Sequence, residues 1–307
     1  MKILIAYDGS PISEAAIREL TRAGLPHSAQ ALVLCVADVF VPPESENGAP
    51  ALPKELEAAI TRAHSELERA VESARQMAQQ ASQMVQALFP DWAVQFEGVS
   101  GSPGWSIILK AEEWKAGLVV VGSRGRSAAD RLLLGSVSQQ VLENARCSVR
   151  IGRSSIQASE QPIRLIIGVD GSPDAERAVQ SVAARQWPKG TEARVIAAVD
   201  NRLSAVFGPL LPGLGRWVDQ SDPDEQGWIR RMTDSARATL SQTGLNASAL
   251  VLAGDPKQVL LREAEAWQAD CIFVGARGLG ALERLLLGSV SSAISTRAPC
   301  SVEVVRA

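Results

Sequence analysis

Twice in this chain a short apolar run ends in Gly-x-x-Gly and is followed, after nine intervening residues, by Gly-Ser. The first occurrence is Gly122, Gly125, Gly135 and Ser136; the second is Gly275, Gly278, Gly288 and Ser289. Glycines at the first two places permit positive φ and remove side-chain bulk, so main-chain N–H groups can face an anion closely. The segments Gly135-Ser136-Val137-Ser138 and Gly288-Ser289-Val290-Ser291 then open a helix. The first N–H groups of a helix and the positive end of its dipole make a ready phosphate site. The serine hydroxyls either cap that helix or bind phosphate oxygens. Arg124 and Arg277, inside the loops, either pair with phosphate or are exposed loop arginines. Leu132-Leu133-Leu134 is expected to anchor the middle of the first loop in the core. The plainer alternative is a tight strand-to-helix connection with a serine cap. What favours chemistry is that the spacing stands in both places while the intervening residues differ, Arg126 to Asp130 against Leu279 to Glu283.

Asp8 and Asp170 each close an apolar run and begin an Asp-Gly-Ser-Pro segment. In a doubly wound sheet, ligands sit beyond the carboxyl ends of the strands where the winding reverses. If the first and fourth strands flank that point, Asp8 and the Gly122 loop share a crevice. A carboxylate there can accept hydrogen bonds from an adenine amino group or a ribose hydroxyl; the alternative is a turn and helix cap. No Gly-Lys-Ser/Thr occurs anywhere in the chain, so this is not a Walker P-loop. Asp8-Gly9-Ser10-Pro11 stands where a dinucleotide fingerprint would need Gly-x-Gly-x-x-Gly.

These residues are positioned by a duplication. Ile3 to Pro11 recurs as Leu165 to Pro173 at an offset of 162, and Val121 to Ser138 recurs as Val274 to Ser291 at an offset of 153. A repeat of about 155 residues is a whole domain rather than a solenoid unit. The expected organisation is a first domain over 1–153, a polar linker over 154–162 and a second domain over 163–307. Strands are expected at 3–7, 31–37, 93–99, 118–122 and 148–152, and again at 165–169, 193–199, 248–253, 271–275 and 301–305. They are short and apolar on both faces, as parallel strands covered on two sides are. Helices are expected at 12–23, 54–88, 104–115 and 136–145. The fold class is therefore α/β: two tandem doubly wound, Rossmann-like domains, each a five-stranded parallel sheet with helices on both faces. The long helix carries a stripe from Ile60 through Leu67 and Met77 to Leu88, which packs on its own sheet or, alternatively, meets a partner.

Composition narrows the function. The chain has 307 residues, 31 basic against 34 acidic side chains and a formal charge of −3; 25 of the bases are Arg. That balance argues against a sequence-independent nucleic-acid or anionic-membrane binder. No stretch approaches ~18 uninterrupted apolar residues, so no membrane span is expected, and Asp8 interrupts the first apolar run before it resembles a leader. Cys35, Cys147, Cys271 and Cys300 are far apart and form no C-x-x-C pair. They read as reduced packing residues of a cytoplasmic protein, not as a metal site. Two histidines, His27 and His64, leave little for histidine catalysis and are expected at the surface.

The combination of an Asp closing the first strand, Gly-x-x-Gly-x9-Gly-Ser after the fourth, and a final Cys-Ser-Val strand resembles the universal stress protein family, over nearly the whole chain. That resemblance implies its ATP-binding branch. Asp8 and Asp170 would contact the adenosine; Val36 and Ala198 would offer main-chain groups to adenine. Gly122, Gly125, Gly135 and Ser136, with Gly275, Gly278, Gly288 and Ser289, would hold ribose and phosphates, and Mg2+ would accompany the ATP. The domains would pair through their last strands, here within one chain as a pseudo-dimer, and further homodimerisation is open. The implied role is a nucleotide-dependent stress-response switch read by a protein partner. The alternatives are slow ATP hydrolysis, for which the sequence offers arginines but no general base, and a nucleotide-free scaffold. The halves differ: Gly117 stands opposite Asp270, Ser123 opposite Ala276, a Pro-rich insert runs to Pro53, and Val206 to Pro212 is an apolar loop. Equivalent sites do not follow.

Overall fold

The structure, a computed structural model, describes residues 1–39, 54–125, 134–153, 161–199, 223–278 and 287–306. The proline-rich insert, the Val206 loop, most of the linker and Leu132-Leu133 lie outside the described residues. In the first half, β1 (Lys2–Ala6), β2 (Gln30–Ala37), β3 (Ala93–Ser100), β4 (Leu118–Gly122) and β5 (Ser148–Gly152) alternate with helices. These are α1 (Pro11–Arg18), α2 (Lys54–Leu88), α3 (Pro103–Glu113) and α4 (Ser136–Asn144). The second half repeats them as β6 (Arg164–Gly168), β7 (Glu192–Val199), β8 (Asn246–Ala253), β9 (Cys271–Gly275) and β10 (Ser301–Val305). Its helices are α5 (Pro173–Ala183), α6 (Pro223–Gln242), α7 (Pro256–Ala266) and α8 (Ser289–Arg297). The expected strands and helices agree within two residues, except that the first helix is shorter: it ends at Arg18 and tightens into a 3-10 turn over Glu19–Arg22.

Both halves join in one ten-stranded sheet of order β3-β2-β1-β4-β5-β10-β9-β6-β7-β8. Every pairing is parallel except β5 with β10, which run antiparallel. The winding reverses between β1 and β4, and between β6 and β9. One face of the sheet carries α3, α4, α7 and α8 over a continuous apolar core that crosses the junction, with Val149, Ile151, Val302 and Val304 all buried in it. The other face carries two separate cores, one under α1 and α2 and one under α5 and α6. Of the α2 stripe, the carboxyl-terminal part from Ala74 onward packs on its own sheet; Ile60, Ala63 and Leu67 stay half-exposed.

Between those two cores the junction is closed by charge. Arg150 and Glu303 stand opposite each other in the antiparallel register, and they are the same position of the repeat. A symmetric pairing would bring a residue against its twin; here the twins are opposite charges. Arg150 Nε lies 2.9 Å from Glu19 Oε1, and its Nη1 lies 3.3 Å from Glu303 Oε2. Arg185 pairs with the other oxygen of Glu303, and the Ser301 hydroxyl donates to Glu19. Two guanidinium groups and two carboxylates make a neutral cluster that excludes water.

Two further arginines cross the junction reciprocally. Arg153, after β5, donates to the carbonyls of Ser295 and Ala298 at the end of α8. Arg306, after β10, donates to the carbonyls of Leu142 and Cys147 at the end of α4. A cation at a helix carboxyl end satisfies orphan carbonyls and opposes the dipole. Asp270, absent from the first half, accepts from Arg22 at 3.1 Å and from the Arg164 amide at 2.8 Å, a third tie between the halves.

None of the four cysteines forms a disulfide. Burial pushes Cys271 up to about 12 and raises Cys300 as well, while Cys35 is buried and donates to the Tyr7 carbonyl. Cys147 is half-buried, and its thiol is also raised by burial. Because the thiolate is the reactive form, the native protein at pH 8 should release at most one equivalent from an aromatic disulfide reagent, slowly and from Cys147. The other three should appear only on unfolding. Rapid release of two or more equivalents from native protein would contradict this packing.

Candidate functional site

The two glycine loops lie at the carboxyl ends of the strands, at the two winding reversals. In the second half the cleft is a cavity of ≈710 Å³, within the range of small-molecule sites. Its apolar walls are Val169, Ile196, Ala198, Leu260 and Val274; its polar end is Asp170, Arg277, Gly278, Gly288, Ser289 and Ser291. Ala198 thus lines this wall, and Val36, its counterpart, packs against the shared core in the first half.

The polar end is built by helix termini. Gly135 and Gly288 are the N-caps of α4 and α8, with extended φ and ψ and no side-chain cap. By contrast α1, α5 and α7 are capped by Ser10, Ser172 and Asp255 side chains. The N–H groups of Ser136, Val137 and Ser138, and of Ser289, Val290 and Ser291, have no acceptor among the described residues. These are the orphan donors of a first turn. A serine cap is therefore not what these segments form. Ser138 and Ser291 instead donate their hydroxyls, at 2.6 Å in each case, to the carbonyls of Gly122 and Gly275, which moors each helix start to the preceding strand. Gly135 N–H donates to Ser123 O and Gly288 N–H to Ala276 O, both at 2.8 Å, so each loop is closed by its own backbone.

The loop glycines are needed for space, not for conformation. Positive φ among the described glycines occurs at Gly9 and Gly171 and at five others, but not at Gly122, Gly125, Gly135, Gly275, Gly278 or Gly288. This corrects the expectation of left-handed backbone. A Cβ on Gly275 would lie 2.5 Å from the main-chain carbon of Asp174, and one on Gly122 would lie 3.2 Å from Ile12 Cγ2. These two glycines let α5 and α1 pack on the strand ends. A Cβ on Gly125 would lie 2.8 Å from Asp8 Oδ2, and one on Gly278 would lie 2.6 Å from Asp170 Oδ2. The structure thus brings each aspartate face to face with its glycine loop. In each half the other carboxylate oxygen accepts from a main-chain amide, Ser10 N–H at 3.0 Å and Ser172 N–H at 2.9 Å. That Asx turn orients the carboxylate toward the loop.

Arg277 is neither an exposed loop arginine nor a solitary cation. Its Nε lies 2.8 Å from Asp174 Oδ2 and its Nη2 3.2 Å from Asp174 Oδ1, and the Asp174 hydrogen bonds and charge raise its pKa further. Asp174 is almost wholly buried at the start of α5 and also accepts from Arg177. Sequence reasoning passed over Asp174. The available signal was its counterpart at the repeat offset, Ile12, an uncharged residue in the same first turn. The other apolar wall residues, Val169, Ile196, Leu260 and Val274, were missed, because nothing local distinguishes a strand-end Ile or Val that lines a cleft from one in the core. Among the described residues, no three His, Cys, Asp or Glu side chains are grouped to hold a metal ion, and no helix is long and apolar enough to cross a membrane.

Comparison with known proteins matches this geometry to one group. The family model described as "Universal stress protein family" matches residues 1–153 and 164–306. A universal stress protein of Mycolicibacterium smegmatis is 28% identical over 99% of this chain and 96% of its own length. One from Mycobacterium tuberculosis is 31% identical over 62% of each chain. The crystal structure of a universal stress protein from Archaeoglobus fulgidus superposes with a TM-score of 0.63 at 21% identity, covering 99% of this chain and 98% of the other.

Proposed function

Because the chain belongs to the universal stress protein family through both of its halves, we propose that its two glycine loops are adenine-nucleotide sites and that ATP, with Mg2+ carried on its phosphates, is among their ligands. One observation supports this above the rest. The uncapped amides of Ser289, Val290 and Ser291 open into a mostly apolar cleft of ≈710 Å³ that Asp170 also lines. Neutral donors at a helix start suit a phosphate, the Val169, Ile196 and Leu260 wall suits a base, and a carboxylate suits ribose hydroxyls. Gly122, Gly125, Gly135, Ser136, Val137 and Ser138 with Asp8 and Arg124 form the matching set in the first half.

The site is one for binding rather than turnover. Of the described residues lining the second cleft, only Asp170 and Arg277 are titratable. Asp170 already accepts from Ser172, and Arg277 is paired with Asp174. Water activation for phosphoryl transfer needs a positioned base; in this reading Asp170 serves the ribose and Arg277 is held by Asp174. A ligand that binds one conformation preferentially shifts the population toward it, and a protein partner in the cytoplasm would read that shift as part of a stress response. Equilibrium dialysis of ATP against full-length protein, both at micromolar concentration with Mg2+, tests the reading. Saturable retention is the expected result, and no retention overturns it.

A further inference from the structure

We propose that Asp174 sets the phosphate charge accepted by the second cleft, so that this cleft takes an adenine nucleotide of low charge, a monophosphate in preference to a triphosphate. The inference rests on the nucleotide reading above and adds a specificity-determining residue to it. The first phosphate of a ligand at α8 would be served by the neutral amides of Ser289 to Ser291, which need no side-chain charge. Further phosphates, even with Mg2+ on them, bring negative charge toward Arg277, the basic side chain among the described residues that line the cleft. Its guanidinium is gripped along the Nε and Nη2 edge by Asp174, whose side chain is 5% exposed. The Ser172 hydroxyl holds the Arg277 carbonyl from the same turn, at 3.1 Å. Asp174 also accepts from Arg177, so it is bound by two arginines and does not yield its place without stranding a buried charge. A terminal phosphate approaching Arg277 therefore meets a guanidinium whose Nε and Nη2 edge is already taken by a fixed carboxylate, and the two like charges repel. In the first half Ile12 occupies this position and supplies no such charge.

The test uses the full-length chain carrying Gly125→Val, which blocks the first glycine loop by placing a branched side chain against Asp8. Calorimetric titration then reads the second cleft with AMP and with ATP plus Mg2+. With Asp174 intact, AMP should bind at least as tightly as ATP. Asp174→Ile, which installs the residue of the first half, and Asp174→Asn should each tighten ATP about tenfold, the scale of one removed nearby charge, and leave AMP within about twofold. Asp174→Glu, which keeps the charge, should keep the preference for AMP. A purely structural role for Asp174 would weaken both nucleotides together, and that result overturns the inference, as does an ATP-to-AMP ratio unmoved by Asp174→Asn. If Asp174→Ile fails to fold, Asp174→Asn decides. Binding of neither nucleotide by the Gly125→Val protein, when the unaltered chain also binds neither, overturns the nucleotide reading and this inference with it.

Discussion

Replacing Arg150 with alanine should lower the unfolding free energy by roughly 3–5 kcal/mol, the cost of leaving a buried charge without its partner. Arg150 is 3% exposed and is the counter-charge for Glu19 and for one oxygen of Glu303, themselves 7% and 0% exposed. Arg185 still serves Glu303, but Glu19 would keep only neutral donors, the Ser301 hydroxyl and the Arg153 main-chain N–H. The pH dependence follows from the sign of the shift. Burial already holds the Glu19 carboxyl above its ordinary range, against the opposing pull of Arg150 and Ser301. Removing Arg150 raises it further. A carboxyl with a raised folded-state pKa binds more protons folded than unfolded, so stability falls as the pH rises through that folded value. The variant should therefore be less destabilised near pH 5 than near pH 8. Urea unfolding at the two pH values measures both effects. A loss below about 1 kcal/mol at pH 8 would mean that water reaches the junction and the cluster is not buried. Arg150→Met should cost less than Arg150→Ala, because it refills the volume, yet it leaves the same stranded carboxylate.

The second large effect separates two glycines three residues apart. Gly278→Val should weaken nucleotide binding at the second cleft by roughly 100-fold or more and leave the melting temperature within a few degrees. Its Cβ would stand 2.6 Å from Asp170 Oδ2, so the carboxylate has to leave the lip of the cleft, while no backbone is struck. Gly275→Val should do the reverse of a clean binding defect. Its Cβ would meet the main chain of Asp174 and Ala175 at 2.5 and 2.6 Å. A helix backbone cannot rotate away as a side chain does, and overpacking of this kind costs ~3 kcal/mol or more. Circular dichroism melts and dialysis on the pair decide the matter. A Gly278→Val protein that binds nucleotide as the unaltered chain does would show that Asp170 and its loop do not frame the ligand.

Much of this was legible before any coordinates. The duplication, the alternation of apolar strands with amphipathic helices, and the doubled Gly-x-x-Gly-x9-Gly-Ser spacing are properties of neighbours along the chain. Short-range sterics and hydrophobic periodicity act on just those neighbours. The pairing of Asp8 with one loop and Asp170 with the other also followed, because a parallel sheet that reverses its winding must bring its first and fourth strand ends together. The purpose of the glycines did not follow. Whether a glycine is there for its φ or for the absence of a Cβ depends on what stands opposite, and opposite Gly275 is a helix about a hundred residues earlier in the chain. The Asp174 grip on Arg277, the Glu19–Arg150–Glu303–Arg185 cluster and the crossed arginines Arg153 and Arg306 are of the same kind. Each joins residues far apart in sequence, and the last two exist only because β5 and β10 meet antiparallel in one register. The amino-acid order by itself settled what the chain repeats and which groups are presented at the strand ends. Tertiary packing alone decided which of those groups are already spoken for, because charge and volume are balanced in space and not along the backbone.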